Sequence, residues 1–263
     1  MRWSAFSLIG VFFCPLATAE FQLGLGLGLA QLNYEEFNDR GEFQNRDSGN
    51  LDTLSLFSRW QSQNWAINFK IKNSKNVLTH ESILIDSSSD TVINQAELKA
   101  SHSIHLFDPV NSYLSIGLGT RDWQRDIATQ TPFFGLDEDY SYNFASIGLG
   151  NVYELTERYS LELFYEYRHV THADLSVVFL SGDFDDITFP LRPNWGSYLE
   201  ASITTKITQN LDLQFNLDYE VWNFNQSNRF TLNRDGVALS TAVFEPASNS
   251  NSLGADISII WSF

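Results

Sequence analysis

Leu253-Gly-Ala-Asp-Ile-Ser-Ile-Ile-Trp-Ser-Phe263 is the last stretch of the sequence. Leu253, Ala255, Ile257, Ile259, Trp261 and Phe263 alternate with Gly254, Asp256, Ser258, Ile260 and Ser262. A period of two with one apolar face is the pattern of a half-buried β-strand. A strand that points Trp261 and Phe263 the same way at its end suits a wall facing lipid, because aromatic rings sit well at a membrane–water interface.

The start of the chain agrees with the end. Arg2, a short apolar stretch from Phe6 to Phe13 and Ala17-Thr18-Ala19 have the layout of a cleaved secretory leader. The apolar stretch is too short to cross a bilayer as a helix. Residues 1–19 are therefore expected to be a removed signal peptide and 20–263 the mature protein. Cys14, the one cysteine, lies in the leader and follows Phe13 rather than the small residue of a lipidation signal. The expected mature chain then has no disulfide. It carries 15 basic against 32 acidic residues once Arg2 is removed from the 16 of the full chain. This balance repels nucleic acid, whose binding depends on Lys and Arg meeting phosphate.

No apolar run of about 18 residues follows Glu20, so a membrane role requires a closed barrel, which satisfies every backbone group in lipid. Alternating segments fall at about 20–33, 51–60, 65–72, 92–105, 112–123, 140–153, 159–170, 192–207, 211–223 and 250–263. Short connections (61–64, 106–111, 154–158, 208–210) alternate with long ones (34–50, 73–91, 124–139, 171–191, 224–249). Short turns on one side and long loops on the other are the habit of outer-membrane barrels. The expectation is an all-β, transmembrane antiparallel up-and-down barrel of ten strands, with eight or twelve as alternatives. Its termini would face the periplasm and its long loops the outside of a Gram-negative cell.

Strand parity assigns the faces. Leu23 to Leu29, Trp65 to Ile71, Leu161 to Tyr167 and Leu211 to Tyr219 each present an outward apolar row on alternate residues. Trp60, Trp65, Tyr153, Tyr159, Trp261 and Phe263 gather into an aromatic girdle. Seven cations and eight anions point inward, a near balance that fits a narrow lumen neutralised in pairs better than a one-sign channel. Turn lengths place Glu97 opposite Arg121 and Lys206 opposite Asp212 as interior ion pairs, Gly150 opposite Glu162 and Gly148 opposite Phe164. Glu200 and Asp218 are expected to be neutralised by lysines across the lumen. Ser-Ile-Gly-Leu-Gly at 115–119 and 146–150 is read as packing, with glycines making room for long neighbours.

The ending resembles the C-terminal signal of bacterial outer-membrane barrels, with Asp256, Ser258, Trp261 and Phe263 at its positions and serine where the signal usually has glycine. That resemblance implies recognition by the barrel-assembly machinery. The long loops hold 18 acidic and 6 basic residues, densest at Asp137-Glu138-Asp139 and Asp183 to Asp186. None shows the ordered spacing of a calcium loop, so a solvated rim is the expectation and capture of divalent cations the alternative. His169, Thr171, His172 and Asp174 lie where the seventh strand enters its long loop. Ten strands with such a rim resemble the omptins, surface proteases with an acid–histidine arrangement. Here Asp174 follows His172, whereas omptins place the acid two residues before the histidine. The stretch also loosely resembles the site of outer-membrane lipid A deacylases. The function expected is a structural or surface-interaction barrel without enzymatic activity, metal or cofactor, in contact with outer-membrane lipid and lipopolysaccharide. A porin-like pore of limited conductance and a surface hydrolase acting through His169, His172 and Asp174 are the alternatives.

Overall fold

The computed structural model describes residues 19–38, 40–84, 86–107, 110–130 and 134–263. The expected leader lies, apart from Ala19, outside these residues. Thirteen strands follow in order: β1 (Ala19–Phe37), β2 (Phe43–Ser62), β3 (Trp65–Ser82), β4 (Ser87–Phe107), β5 (Val110–Ile127), β6 (Leu136–Glu154), β7 (Tyr159–Phe179), β8 (Ile187–Pro190), β9 (Arg192–Lys206), β10 (Leu211–Asn225), β11 (Phe230–Arg234), β12 (Val237–Val243) and β13 (Ala247–Ser262). Ten of them form the wall, each paired antiparallel with its neighbour in the chain. β13 closes on β1 from Gln22↔Ser262 to Phe37↔Ala247. The short β8 adds to β7, and β11 and β12 form a separate hairpin. The chain is thus a closed ten-stranded up-and-down barrel with no free edge in its wall.

The wall strands are longer than the sequence pattern indicates. β1 runs for 19 residues and β4 for 21. The extra length lies at the end away from the termini, where most of the stretches read as long loops continue the wall as tall hairpins. The reason is a switch in apolar parity. In β1 the exposed residues are Leu23, Leu25, Leu27 and Leu29, whereas Leu32 and Tyr34 are buried. The backbone alternation continues unbroken, but the apolar side moves from outside to inside. The same switch separates exposed Leu54 from buried Leu51 in β2, exposed Leu118 from buried Trp123 in β5, and exposed Tyr219 from buried Trp222 in β10. It marks where lipid stops and water begins: below it the wall needs an apolar outside, above it an apolar inside.

Phe21 to Leu29 covers about 26 Å of strand at ~3.3 Å per residue. At a tilt near 40° that is about 20 Å of membrane normal, close to the apolar band of such barrels. Exposed Leu, Ile, Phe, Trp or Tyr residues continue this belt on each of the ten wall strands. The girdle residues Trp65, Tyr159, Trp261 and Phe263 are all exposed at the end carrying the termini, where Phe263 donates its N–H to the Phe21 carbonyl at 2.9 Å.

The apolar core therefore sits above the membrane belt, inside the far half of the barrel. Leu32, Leu51, Leu78, Ile93, Trp123, Tyr142, Phe144, Leu175 and Trp222 form it, with Phe189 and Leu191 closing over the top. Each such side chain contributes about 1.5–3 kcal/mol by leaving water. The β11–β12 hairpin turns on Asp235 and Gly236, both at positive φ (53° and 75°), as a two-residue primed turn demands.

Candidate functional site: a closed lumen with a cavity at one end

Alternate residues of the ten strands project inward, and the lumen is built in layers. Nearest the termini is a cavity of about 190 Å³ lined by Gln22, Arg59, Lys70, Tyr113, Glu162, Phe164 and Glu200, among others. Across it Lys70 reaches Glu200 at 3.8 Å, and beside it Lys72 reaches Asp218 at 3.6 Å. The two acids are direct cross-strand neighbours, and a lysine meets each of them.

The next layer shuts the lumen. Arg168 is 1% exposed and donates Nε to Glu166 (2.6 Å), Nη2 to Glu97 (2.7 Å) and Nη1 to Glu220. Lys99 joins Glu97 and Glu166, both at 2.8 Å. Arg121 donates to Gln95 at 2.8 Å and to Glu220. Three cations against three carboxylates leave this layer neutral. Their fit matters because an unpaired buried charge costs several kcal/mol. The Arg168 guanidinium also lies 4.7 Å from the Tyr198 ring centroid and 5.0 Å from that of Phe144. Above it Trp222 packs edge-on to Tyr142 and Phe144 at 5.0 and 5.1 Å.

A second charged centre lies beyond the membrane belt. Arg125, fully buried, donates Nε to Asp47 (2.9 Å) and Nη1 to Glu138 (2.8 Å), Glu36 (3.2 Å) and the Tyr140 hydroxyl (3.2 Å). Its guanidinium stacks 4.4 Å from the Tyr34 ring centroid. His80 Nδ1 lies 2.6 Å from Asp47, and the Tyr140 hydroxyl donates to Glu245 at 2.8 Å. Three carboxylates thus contact one guanidinium, and a fourth, Glu245, joins through the Tyr140 hydroxyl. Burial opposes charge on Asp47, yet Arg125 and His80 together hold its carboxyl down at about 2. Burial pushes Glu138 up to about 7, with Glu36 and Asp47 adding to it against the pull of Arg125. Burial likewise raises Glu245 well above the usual carboxylate range, helped by Glu36 and Glu138.

The sequence-level site residues fall as follows. Glu97 and Arg121 both face the lumen, but the register sets Glu97 opposite Gly119 and Arg121 opposite Gln95. The expected pairing is off by two residues: the turn pairs Phe107 with Val110, one residue tighter than expected, and a register irregularity between Ile104 and Phe107 adds the other. The β6–β7 register is likewise displaced by two, so that Gly148 meets Glu166 and Gly150 meets Phe164. Lys206 stands opposite Asp212 at the mouth near the termini, where Lys206 is exposed and Asp212 half-buried. Asp256 and Ser258 point inward against Asn216 and each other, while Trp261 points out. The two Ser-Ile-Gly-Leu-Gly segments lie side by side. A Cβ on Gly119 would come within 2.3 Å of the Phe144 ring, and one on Gly150 within 2.1 Å of Tyr113, so these glycines mainly seat aromatic rings.

His172 Nε2 and Asp174 Oδ2 are 2.9 Å apart, and His169, Thr171 and His172 are all exposed on the outer wall. The irregularity between Asn143 and Phe144 adds one residue to β7 there, so that Thr171 and His172 both turn outward while Val170 and Ala173 stay buried. The group sits on a convex face, away from the lumen. Of the acidic clusters, Glu138 is the inward ligand of Arg125. Asp185 caps the β11–β12 turn, accepting from the N–H groups of Asp235 and Gly236 at 3.0 and 2.9 Å. Asp90, Asp126 and Asp137 lie in one cross-strand row. Partial burial, then Asp137, Asp139 and Asp90, raise the Asp126 carboxyl. Among the described residues no group of three His, Cys, Asp or Glu side chains is arranged to hold a metal ion.

The Arg125 centre is the part of the interior that sequence reading missed. Its charged residues lie in stretches taken for loops. The signal was the alternation Tyr34-x-Glu36, Trp123-x-Arg125 and Glu138-x-Tyr140-x-Tyr142-x-Phe144, a strand pattern with inverted parity.

A closed ten-stranded meander with an apolar belt and a charge-filled lumen defines a transmembrane β-barrel of the outer-membrane class. The fold matches the outer-membrane protease OmpT from Escherichia coli with a TM-score of 0.69 at 8% identity, over 96% of this chain and 99% of that one. The translocator domain of the autotransporter NalP from Neisseria meningitidis aligns over 92% of this chain and 88% of its own at 7% identity and a TM-score of 0.46. The attachment invasion locus protein Ail of Yersinia pestis aligns over 92% and 99% at 11% identity and a TM-score of 0.36. No family model matches the chain, and neither does any curated protein sequence.

Proposed function

We propose that this chain is a non-conducting outer-membrane barrel whose long hairpins form a rigid, acidic platform for contacts at the cell surface. The observation that carries this reading is the layer of Arg168, Lys99 and Arg121 with Glu97, Glu166 and Glu220, which crosses the lumen and pairs every charge it contains. A permeating ion would have to break it. The apolar core then fills the barrel where it leaves the membrane, which suits a platform better than a duct.

In this reading residues 1–19 direct export. Asp256, Ser258, Trp261 and Phe263 are read by the assembly machinery, the termini face the periplasm, and the hairpins stand among lipopolysaccharide. The acidic rim repels anions and offers oxygen ligands to divalent cations. The deciding experiment is a planar-bilayer recording of refolded protein whose barrel is verified by a mobility shift between unheated and boiled gel samples. The expected result is a silent bilayer. Reproducible unitary conductance steps would overturn the proposal in favour of a small pore.

A second reading, surface hydrolysis, draws on the His172–Asp174 contact alone. Cleavage of peptide or lipid A by refolded protein, lost in His172→Ala, would establish it; equal activity of the variant would end it.

A further inference from the structure

The cavity at the end of the lumen near the termini contains two charges of opposite sign, Arg59 and Glu162, that attract each other through space but are held in no direct ion pair. Arg59 has the neutral Gln22 and Asn68 as its cross-strand neighbours. Its Nε is buried without a hydrogen-bond partner, and among the described residues no carboxylate comes within ion-pair distance of its guanidinium. Glu162, on the other side of the same cavity, has Val152 and Ser202 beside it. It accepts the Tyr113 hydroxyl at one oxygen and likewise has no cation within ion-pair distance among the described residues. This contrasts with the layer above, where every charge is matched at short range. Even the Lys70–Glu200 contact across the cavity, at 3.8 Å, is looser than those of the closing layer.

The wall beside Glu162 is aromatic. Tyr113 stacks on Phe164 with centroids 5.9 Å apart, Phe164 meets Tyr198 at 6.4 Å, and Phe57 lines the opposite side. A ligand with an anionic and a cationic group close together and an apolar body to one side would use all three features, each charge gaining a partner and the rings a surface. A volume near 190 Å³ accommodates one such small molecule.

We propose that this cavity binds a small zwitterion of the amino-acid class, with its carboxylate on Arg59, its ammonium on Glu162 and its side chain against Tyr113, Phe164 and Tyr198. Entry is from the end of the barrel carrying the termini, since Gln22 and Arg59 lie near the ends of β1 and β2. Binding does not require the lumen to conduct, because the closing layer forms the floor of the cavity. The site is therefore independent of whether the barrel is silent in a bilayer.

The test is equilibrium dialysis of the full chain refolded in detergent micelles, with protein-free micelles subtracted. The probes are L-phenylalanine, phenylacetate, which lacks the ammonium, and 2-phenylethylamine, which lacks the carboxylate. The amino acid is expected to bind saturably, and each analogue roughly tenfold or more weakly, the worth of one charge-assisted contact. Arg59→Gln is expected to abolish the advantage of L-phenylalanine over phenylethylamine, and Glu162→Gln its advantage over phenylacetate. Both variants are checked for the folded mobility on unheated gels. No saturable binding of L-phenylalanine, or equal binding of all three probes, would overturn the proposal. This holds on the wild-type protein even if a variant fails to fold.

Discussion

Replacing Arg125 by Met tests the charged centre beyond the membrane more sharply than any other change. The side chain is fully buried, touches Asp47 at 2.9 Å, Glu138 at 2.8 Å and Glu36 at 3.2 Å, and stacks on Tyr34. Met fills much of its volume but supplies no charge, so these carboxylates lose their guanidinium while remaining shielded from water. Removing one partner of a buried ion pair costs about 3–5 kcal/mol. The cost must depend on pH, because protonation relieves the stranded carboxylates. In the wild type the signs are opposite for two of the acids. Glu138, raised to about 7 from 4.5, contributes stability that is complete below about 4.5 and is lost as pH rises through about 7. Asp47, lowered to about 2 from 3.8, contributes stability present above about 3.8 and lost as pH falls through about 2. The variant discards the Asp47 contribution and deepens the penalty on Glu138. Urea unfolding of the refolded protein in micelles, followed by tryptophan emission, should show a deficit of about 3–5 kcal/mol at pH 8 that shrinks markedly by pH 5. A deficit below about 1 kcal/mol at pH 8, or one of equal size at both pH values, would refute the reasoning.

Three further outcomes follow from the geometry. Asp126→Asn should raise stability by about 0.2–1 kcal/mol at low salt, because Asp90 and Asp137 flank that residue across both neighbouring strands; urea midpoints with and without added salt check it. Leu27→Arg, at the centre of the belt and 65% exposed, should cost about 2–4 kcal/mol in bilayer unfolding, whereas Gln31→Arg, one step beyond the parity switch, should cost no more than about 1 kcal/mol. Gly119→Ala should cost about 1–3 kcal/mol, since the new methyl would lie 2.3 Å from the Phe144 ring, and Phe144→Leu in the same chain should recover part of that in the same assay.

The barrel was legible in the sequence because the lipid belt imposes a strict alternation on every wall strand, and Leu253 to Phe263 displays it without interruption. Strand number and the alternation of short and long connections came from the same pattern. The lengths did not. Beyond Leu29, Leu54 and Tyr219 the apolar residues change sides, so a reading keyed to one apolar face sees the pattern dissolve into polar loop where the strand in fact continues. Glu36, Asp47, His80, Arg125 and Glu138 disappeared from view with it. Parity decides that Glu97 and Arg121 share the lumen, but which carboxylate a long guanidinium reaches depends on the tilt of the whole barrel. Arg121 therefore finds Glu220, 99 residues along the chain. His169, Thr171 and His172 lie within β7 on its outer face, and the inserted residue that turns both Thr171 and His172 outward is one no alternation rule foresees.

The seam between β1 and β13 has a consequence for the molecule as a mechanical object. Its two end strands are hydrogen-bonded along nearly their full length, and Phe263 is tied back to Phe21. The described chain is in effect a hoop with one cut. Joining residue 263 to residue 20 by a short linker and cutting instead between β3 and β4 would leave every wall pairing in place while moving both free ends to the opposite rim. Such a permutant would ask whether the stability of the hoop depends on where it is cut.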